Sequence, residues 1–114
     1  MLIFIAGPYS AETSRRVEQN VNAAIDAAIE ILRKGQIPFV PHLSHLVDQR
    51  AARIGATLDW SDFVKWSLAI LPRCDALLYL GSSPGADLEL EKATSLGIPI
   101  FHSIDEIPEG ATVE

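Results

Sequence analysis

The sequence predicts an α/β fold, a doubly wound, Rossmann-like parallel sheet of four to five strands flanked by helices. Three observations lead there. Short continuous apolar runs recur at LIFIA (2–6), IPFVP (37–41), ALLYL (76–80) and IPIF (98–101). Segments with apolar residues at helical spacing separate them, and Gly or Pro closes nearly every run. A strand buried on both faces reads as an unbroken apolar run, and strands alternating with helices imply right-handed parallel crossovers. With 114 residues, one domain spanning 1–114 is expected, since the chain is too short for two independent cores.

Taken in order, LIFIA ends at Gly7-Pro8. From Ser14 to Lys34, Val17, Val21, Ala24, Ile25, Ala28, Ile29 and Leu32 mark an amphipathic helix closed by Gly35. IPFVP is a short second strand. The polar-rich connection 41–58 has some helical character and is longer than packing requires. Trp60, Phe63, Val64, Leu68 and Leu71 set a further helix that Pro72 ends. ALLYL is the third strand, GSSPGA a loop, Asp87–Leu96 a helix stopped by Gly97, and IPIF the fourth strand.

Composition narrows the function. A hydrophobic fraction of 48% with 21% charged residues is that of a globular domain, and no apolar run approaches the roughly 20 residues of a bilayer span. MLIFIAGPYS lacks the basic flank of a secretory signal, so a cytoplasmic location and no membrane partner are expected. Cys74 is the single cysteine, which leaves no internal disulfide and no thiolate zinc site, and reads as a core residue. A net charge of −6 argues against a nucleic-acid duplex, which calls for a basic face. A small-molecule partner fits better. No GxGxxG or GxxxxGK[ST] pattern occurs, so neither a dinucleotide cofactor nor ATP is expected, and no cofactor is assigned.

In this architecture ligands bind beyond the carboxyl ends of strands, and three motifs follow strands. GPYSAETSRR supplies Gly7, Pro8, Tyr9 and Ser10 as ligand contacts, with Ser10, Thr13 or Ser14 as helix cap. Arg15 and Arg16 sit where cations oppose the helix dipole, so either they hold an anion such as phosphate or carboxylate against the helix amides or they point to solvent. PHLSHLVD spaces His42, His45 and Asp48 three apart, which suits ligand contact or loop histidines better than a metal site. In GSSPGADLELEKA, Asp87 and Glu91 are explained by the positive end of a helix. Glu89 differs, because it shares a face with Ala86, Ala93 and Leu96 and so looks toward the sheet. An inward carboxylate needs a partner or a purpose. Gly81, Ser82, Ser83, Gly85 and Ala86 leave room for a ligand beside it.

Together LIFIAGPYS, the Asn20-Val21-x-x-Ala24 helix, PFVPHLSH, RCDALL and SSPGADLE resemble the nucleoside 2-deoxyribosyltransferase superfamily, including its deoxynucleoside 5′-monophosphate N-glycosidases, over residues 1–102. The resemblance implies cleavage or exchange of the N-glycosidic bond of a nucleoside or nucleoside 5′-monophosphate through a covalent glycosyl-glutamate, with a lean to hydrolysis of a monophosphate because Ser83 and the two arginines look like phosphate contacts. Matched to the segment S-x-G-x-x-x-E, the nucleophile is Glu89 and the phosphate-contacting serine is Ser83. Tyr9 is the aromatic near the nucleophile, and Arg15 or Arg16 contacts phosphate. The aspartate that members carry eight residues before Asp75 is Ser67 here, which cannot serve as a general acid. Asp62 or Asp59, one or two turns earlier, His45, or Asp87 on a less suitable face are the substitutes. Asp75 is expected to anchor its strand. A homo-oligomer, dimer or larger, is implied, with the C-terminal IDEIPEGATVE available to touch the neighbour. The alternative is a non-catalytic nucleotide-binding module or accessory subunit.

Overall fold

The structure, a computed structural model, describes residues 1–110. Its elements run β1 (Leu2–Ala6), α1 (Ser14–Arg33), β2 (Ile37–Phe39), α2 (Ser44–Arg53), α3 (Trp60–Ile70), β3 (Ala76–Tyr79), α4 (Pro84–Ser95) and β4 (Ile100–Phe101). Short 3₁₀ turns lie at Pro41–Leu43, Leu71–Arg73 and Ile104–Glu106. The four strands form one parallel sheet in the order β2-β1-β3-β4. The protein is therefore α/β, with a parallel sheet flanked by four helices and compatible with double winding. From β1 the chain steps outward to β2 and then returns past β1 to β3. The order thus switches between β1 and β3, which opens a crevice at their carboxyl ends.

Strand side chains alternate between faces, and both faces are covered. Ile3, Ile5, Ala76 and Leu78 pack against Ala24, Ala27, Ala28 and Ile31 of α1. Phe4, Ala6 and Leu77 pack with Ala86 and Ala93 of α4, Leu71 and Cys74 on the other face. The continuous apolar runs of β1 and β3 are explained by this two-sided burial. Burial and the neighbouring Asp75 charge push the Cys74 thiol up to about 11, so it is an inert core residue. Asp75 ties the strand starts together, its carboxylate accepting the Leu2 N–H at 2.7 Å.

Thr13 caps α1 by accepting the Arg16 N–H at 3.1 Å, and Gly35 leaves the helix with φ +78°. The buried stripe is Val21, Ala24, Ala27, Ala28 and Ile31, whereas Ile29 and Leu32 are exposed. The helix carries more apolar residues than one face can hold, and the small alanines let it approach the sheet closely. The connection 41–58 contains a complete helix, α2, and α4 starts three residues earlier than expected. Pro84 at its first position has φ already set for a helix, and Ser83 is the cap.

The residues 104–110 pack onto the chain itself. Ile107 is buried in the α1 core, Lys34 Nζ donates to the Ile107 carbonyl at 2.9 Å, and Gln36 Nε2 donates to the Pro108 carbonyl at 2.9 Å. This strap lies at the amino end of the sheet, away from the crevice; the final four residues of IDEIPEGATVE lie outside the described ones. No helix among the described residues is long and apolar enough to cross a membrane.

Candidate functional site

A cavity of about 520 Å³ opens at the switch between β1 and β3. The loop after β1 contributes Gly7, Tyr9 and Ser10. Pro41, His42, Ser44 and Asp48 come from the turn after β2 and from α2. Leu58, Asp59, Trp60, Phe63, Val64 and Ser67 come from α3 and its approach, and Ser83, Pro84, Gly85, Ala86 and Glu89 from the start of α4.

Glu89 lies on the stripe of α4 that also buries Ala86 and Ala93. It is 9% exposed, and among the described residues no Lys or Arg lines the cavity. Burial without a cation pushes its carboxyl up to about 8, while the Ser67 hydroxyl across the cavity acts in the opposite direction. Asp87 and Glu91 lie on the wet side. Asp87 is outside the cavity, accepting from Ser82 Oγ at 2.7 Å and Tyr79 Oη at 2.8 Å, which hold its carboxyl below the usual range. It clamps the 81–85 loop. Ser83 Oγ accepts the Ala86 N–H at 3.1 Å and still has a proton to donate, and Gly85 lies beside it.

Across the cavity, His42 Nε2 is 3.0 Å from the Gly7 carbonyl and 3.2 Å from that of Pro8. Two acceptors fix the proton on Nε2. Burial pushes the imidazole pKa down, so the ring is neutral, and its buried Nδ1 has no hydrogen-bond partner among the described residues. Gly7 packs closely on Leu80, since a Cβ there would come 3.0 Å from Leu80 Cβ. Tyr9 Oη and His45 Nδ1 share a hydrogen bond at 3.0 Å, and burial, with the Asp48 charge, raises the phenol pKa. Asn20 Nδ2 donates to the Tyr9 carbonyl at 3.1 Å, tying the loop to α1.

The expected residues thus divide. Gly7, Tyr9, Ser10, His42, Ser83, Gly85 and Glu89 line one cavity. His45 stands behind Tyr9, and Pro8 holds the loop through its carbonyl. Arg15 and Arg16 do not reach it: both are exposed, and the Arg16 guanidinium is 3.4 Å from Gln19 Oε1. The seat for an anion between arginines and helix amides is therefore not formed on this cavity. Asp62 is also outside, because its carboxylate accepts the Asp59 N–H at 2.9 Å in a capping box that starts α3. Asp59, the other partner in that box, does line the cavity, as does Asp48. Among the described residues no group of three His, Cys, Asp or Glu is arranged to hold a metal. Sequence reasoning missed the wall formed by Trp60, Phe63, Val64 and Ser67. Their spacing of three, four and seven, which puts them on one face of the helix, was the signal.

The chain is thus an α/β domain with a ligand-sized cavity and a buried carboxylate at the strand-order switch of its parallel sheet, the place where such sheets offer a binding crevice. Within that class the chain belongs to the family described as a domain of unknown function, DUF7768, whose model matches residues 1–103. A comparison with curated proteins returns no match.

Proposed function

We propose that the protein cleaves or exchanges the N-glycosidic bond of a nucleoside or nucleoside 5′-monophosphate, with Glu89 as nucleophile and hydrolysis as the outcome. The observation that carries this reading is Glu89 itself, a carboxylate buried in a ligand-sized cavity with no cation to explain it. In the first step a Glu89 oxygen bonds to the anomeric carbon and the bond to the base nitrogen breaks. The electron pair leaves with the base, which takes up a proton. Water then attacks the same carbon, freeing the sugar and restoring the carboxylate. The positive charge that develops on the sugar suits a cavity lined by Asp48, Asp59 and Glu89. The same three carboxylates, without a cation, favour a neutral nucleoside over its monophosphate. A phosphate would rely on Ser83 and the amides opening α4.

Ser67 favours a second reading, a nucleotide-binding module without turnover, because a hydroxyl occupies the position where the resemblance leads one to expect the acid. The two separate on one experiment. The protein is incubated with deoxynucleosides and their monophosphates and assayed for free base. Release abolished by Glu89→Gln, with a deoxyribosyl mass increase on the wild-type chain, supports the enzyme; binding with no release from any of them refutes it. A homo-oligomer forms part of the proposal, supported by Leu46, Ile54, Trp60 and Trp66 lying exposed on or beside α2 and α3.

A further inference from the structure

With a neutral nucleoside, the base leaves carrying the electron pair of the broken bond and needs a proton to leave easily. The side chains around Glu89 are poor sources of that proton. Asp62 and Asp87 lie outside the cavity, in hydrogen bonds of their own. Asp59 lines it, but the Ser61 hydroxyl and the Asp62 and Ser61 amides donate to its carboxylate and hold it below the ordinary range, so it has no proton to give at neutral pH. Burial and the Asp48 charge make the Tyr9 phenol a weaker acid than usual, and its hydroxyl is shared with His45. Ser67 and Ser83 are alcohols, and the His42 Nε2 proton is held by two carbonyls.

What the cavity has in excess is negative charge. Asp48, Asp59 and Glu89 line it, with no Lys or Arg among the described residues. His42, 4% exposed, adds a further acceptor, the Nδ1 that has no partner among the described residues. Tyr9, Trp60 and Phe63 bring three aromatic rings to the same lining. Carboxylates attract cations, and so do aromatic rings, most strongly when the cation is stripped of water. Glu89 is buried without a counter-ion, and this keeps a proton on it up to a pH of about 8. A cation entering the cavity supplies the missing counter-charge and favours the ionised carboxylate.

We infer that the substrate is an N-glycoside whose base is already a cation, a pyridinium-type or ring-alkylated nucleoside, and that Glu89 is first the counter-ion that recognises it and then the nucleophile that attacks its sugar. The inference rests on the proposed glycosidic reading and deepens it to the substrate class. A Glu89 oxygen bonds to the anomeric carbon while the bond from that carbon to the ring nitrogen breaks. The electron pair cancels the positive charge on the nitrogen, so the base departs neutral and no proton donor is needed. Water then attacks the anomeric carbon and gives a proton to solvent, which frees the sugar and restores the carboxylate. A hydroxyl at Ser67 is then no defect, because the acid that it replaces has nothing to do.

The test measures binding apart from turnover. The probes are 1-methylnicotinamide, a pyridinium cation, and 3-methylbenzamide, which has the same shape with carbon in place of the charged nitrogen. Calorimetry on the full chain should show the cation bound at least about tenfold more tightly, the scale of a desolvated cation against carboxylate and ring. In weakly buffered solution at pH 7 the cation should release close to one proton per molecule bound, because Glu89 ionises against it, and the neutral probe none. In Glu89→Gln the preference and the proton release should both vanish while 3-methylbenzamide still binds. For turnover, nicotinamide riboside and its 2′-deoxy analogue are compared with uridine, adenosine and their 2′-deoxy counterparts, with spontaneous breakdown subtracted. The pyridinium nucleosides should exceed the neutral ones at least about a hundredfold in kcat/KM, the lower end of what a general acid supplies. Equal affinity for the two probes, cation binding without proton release, or a cation preference that survives in Glu89→Gln overturns the inference. Base release from neutral nucleosides at equal or greater rates overturns it too, and leaves the glycosidic reading standing. Cation binding with proton release but no base freed from any nucleoside refutes the glycosidic reading, and the substrate assignment falls with it.

Discussion

Replacing Glu89 by Gln should make the protein more stable at alkaline pH, while removing the carboxylate on which the proposed chemistry depends. The folded-state carboxyl is held at about 8 against an ordinary value of 4.5, with burial as the main cause. The folded chain therefore keeps a proton that the unfolded chain releases. For a group raised in this way, the favourable contribution is complete below pH 4.5 and is lost as pH rises through 8. At 1.36 kcal/mol per pH unit the gap corresponds to roughly 5 kcal/mol, and water in the open cavity reduces it to about 3–5 kcal/mol. Gln has the same shape and no charge to desolvate. Thermal unfolding of the two proteins should coincide near pH 4 and separate by about 10–20 °C near pH 9, taking roughly 4 °C per kcal/mol for a domain of this size. Neutral buried His42 acts with the opposite sign, losing stability as pH falls below 6.5, but it is common to both proteins and cancels in the difference. A Gln variant that is less stable at pH 9, or a difference that does not vary with pH, would refute the claim that the carboxylate is desolvated in the cavity.

Three further outcomes follow from the same geometry. As a nucleophile Glu89 must be ionised, so kcat/KM for base release should rise tenfold per pH unit below about 8 and level off above it, whereas a proton donor would give a falling limb. Ser67→Ala removes the hydroxyl that opposes burial and should move that limb to higher pH in the same rate measurement. At the other end of the molecule, a side chain on Gly110 would collide with the Gly35 carbonyl oxygen. Gly110→Ala should therefore cost about 1–3 kcal/mol in urea unfolding, with the pH-rate profile of the distant cavity unchanged.

The strands, the helix order and the inward phase of Glu89 were legible because each rests on short-range periodicity. LIFIA and ALLYL are apolar throughout because both faces of the sheet are covered, and Ala86, Glu89 and Ala93 share a stripe whichever residue starts the helix. What stayed hidden depends on contacts distant in sequence. Asp62 and Asp59 lie on one helical turn, and only the capping box decides that Asp59 lines the cavity and Asp62 does not. Arg15 and Arg16 oppose the dipole as a sequence pattern, but both stand exposed at the start of α1, which packs on the sheet face through its later turns and leaves them off the cavity. Ile29 and Leu32 fit the helical period as well as Ala27 and Ile31 do, and close packing of the smaller stripe settled the choice. The Tyr9–His45 bond joins residues 36 apart, a pairing that no local spacing encodes.

The two sides of the cavity differ in how firmly they are built, and this bears on how a ligand is held. Glu89 and Ser83 stand on α4, which buries Ala86 and Ala93 against β1 and β3, and Gly7 follows a strand buried from Ile3 to Ala6. The facing wall is α3, which carries two tryptophans and a phenylalanine and has no buried residue. An element with so little buried apolar surface opens at low free-energy cost. Amide hydrogen exchange should therefore be faster across Trp60–Ile70 than across α1 or α4. A ligand that bridges Glu89 to the rings of Trp60 and Phe63 gives α3 the apolar contact it lacks, and its amides should slow while those of α1 do not change. Uniform protection of all four helices in the free protein would show that α3 is already braced, and that the cavity is a fixed mould instead of a wall that closes on what it binds.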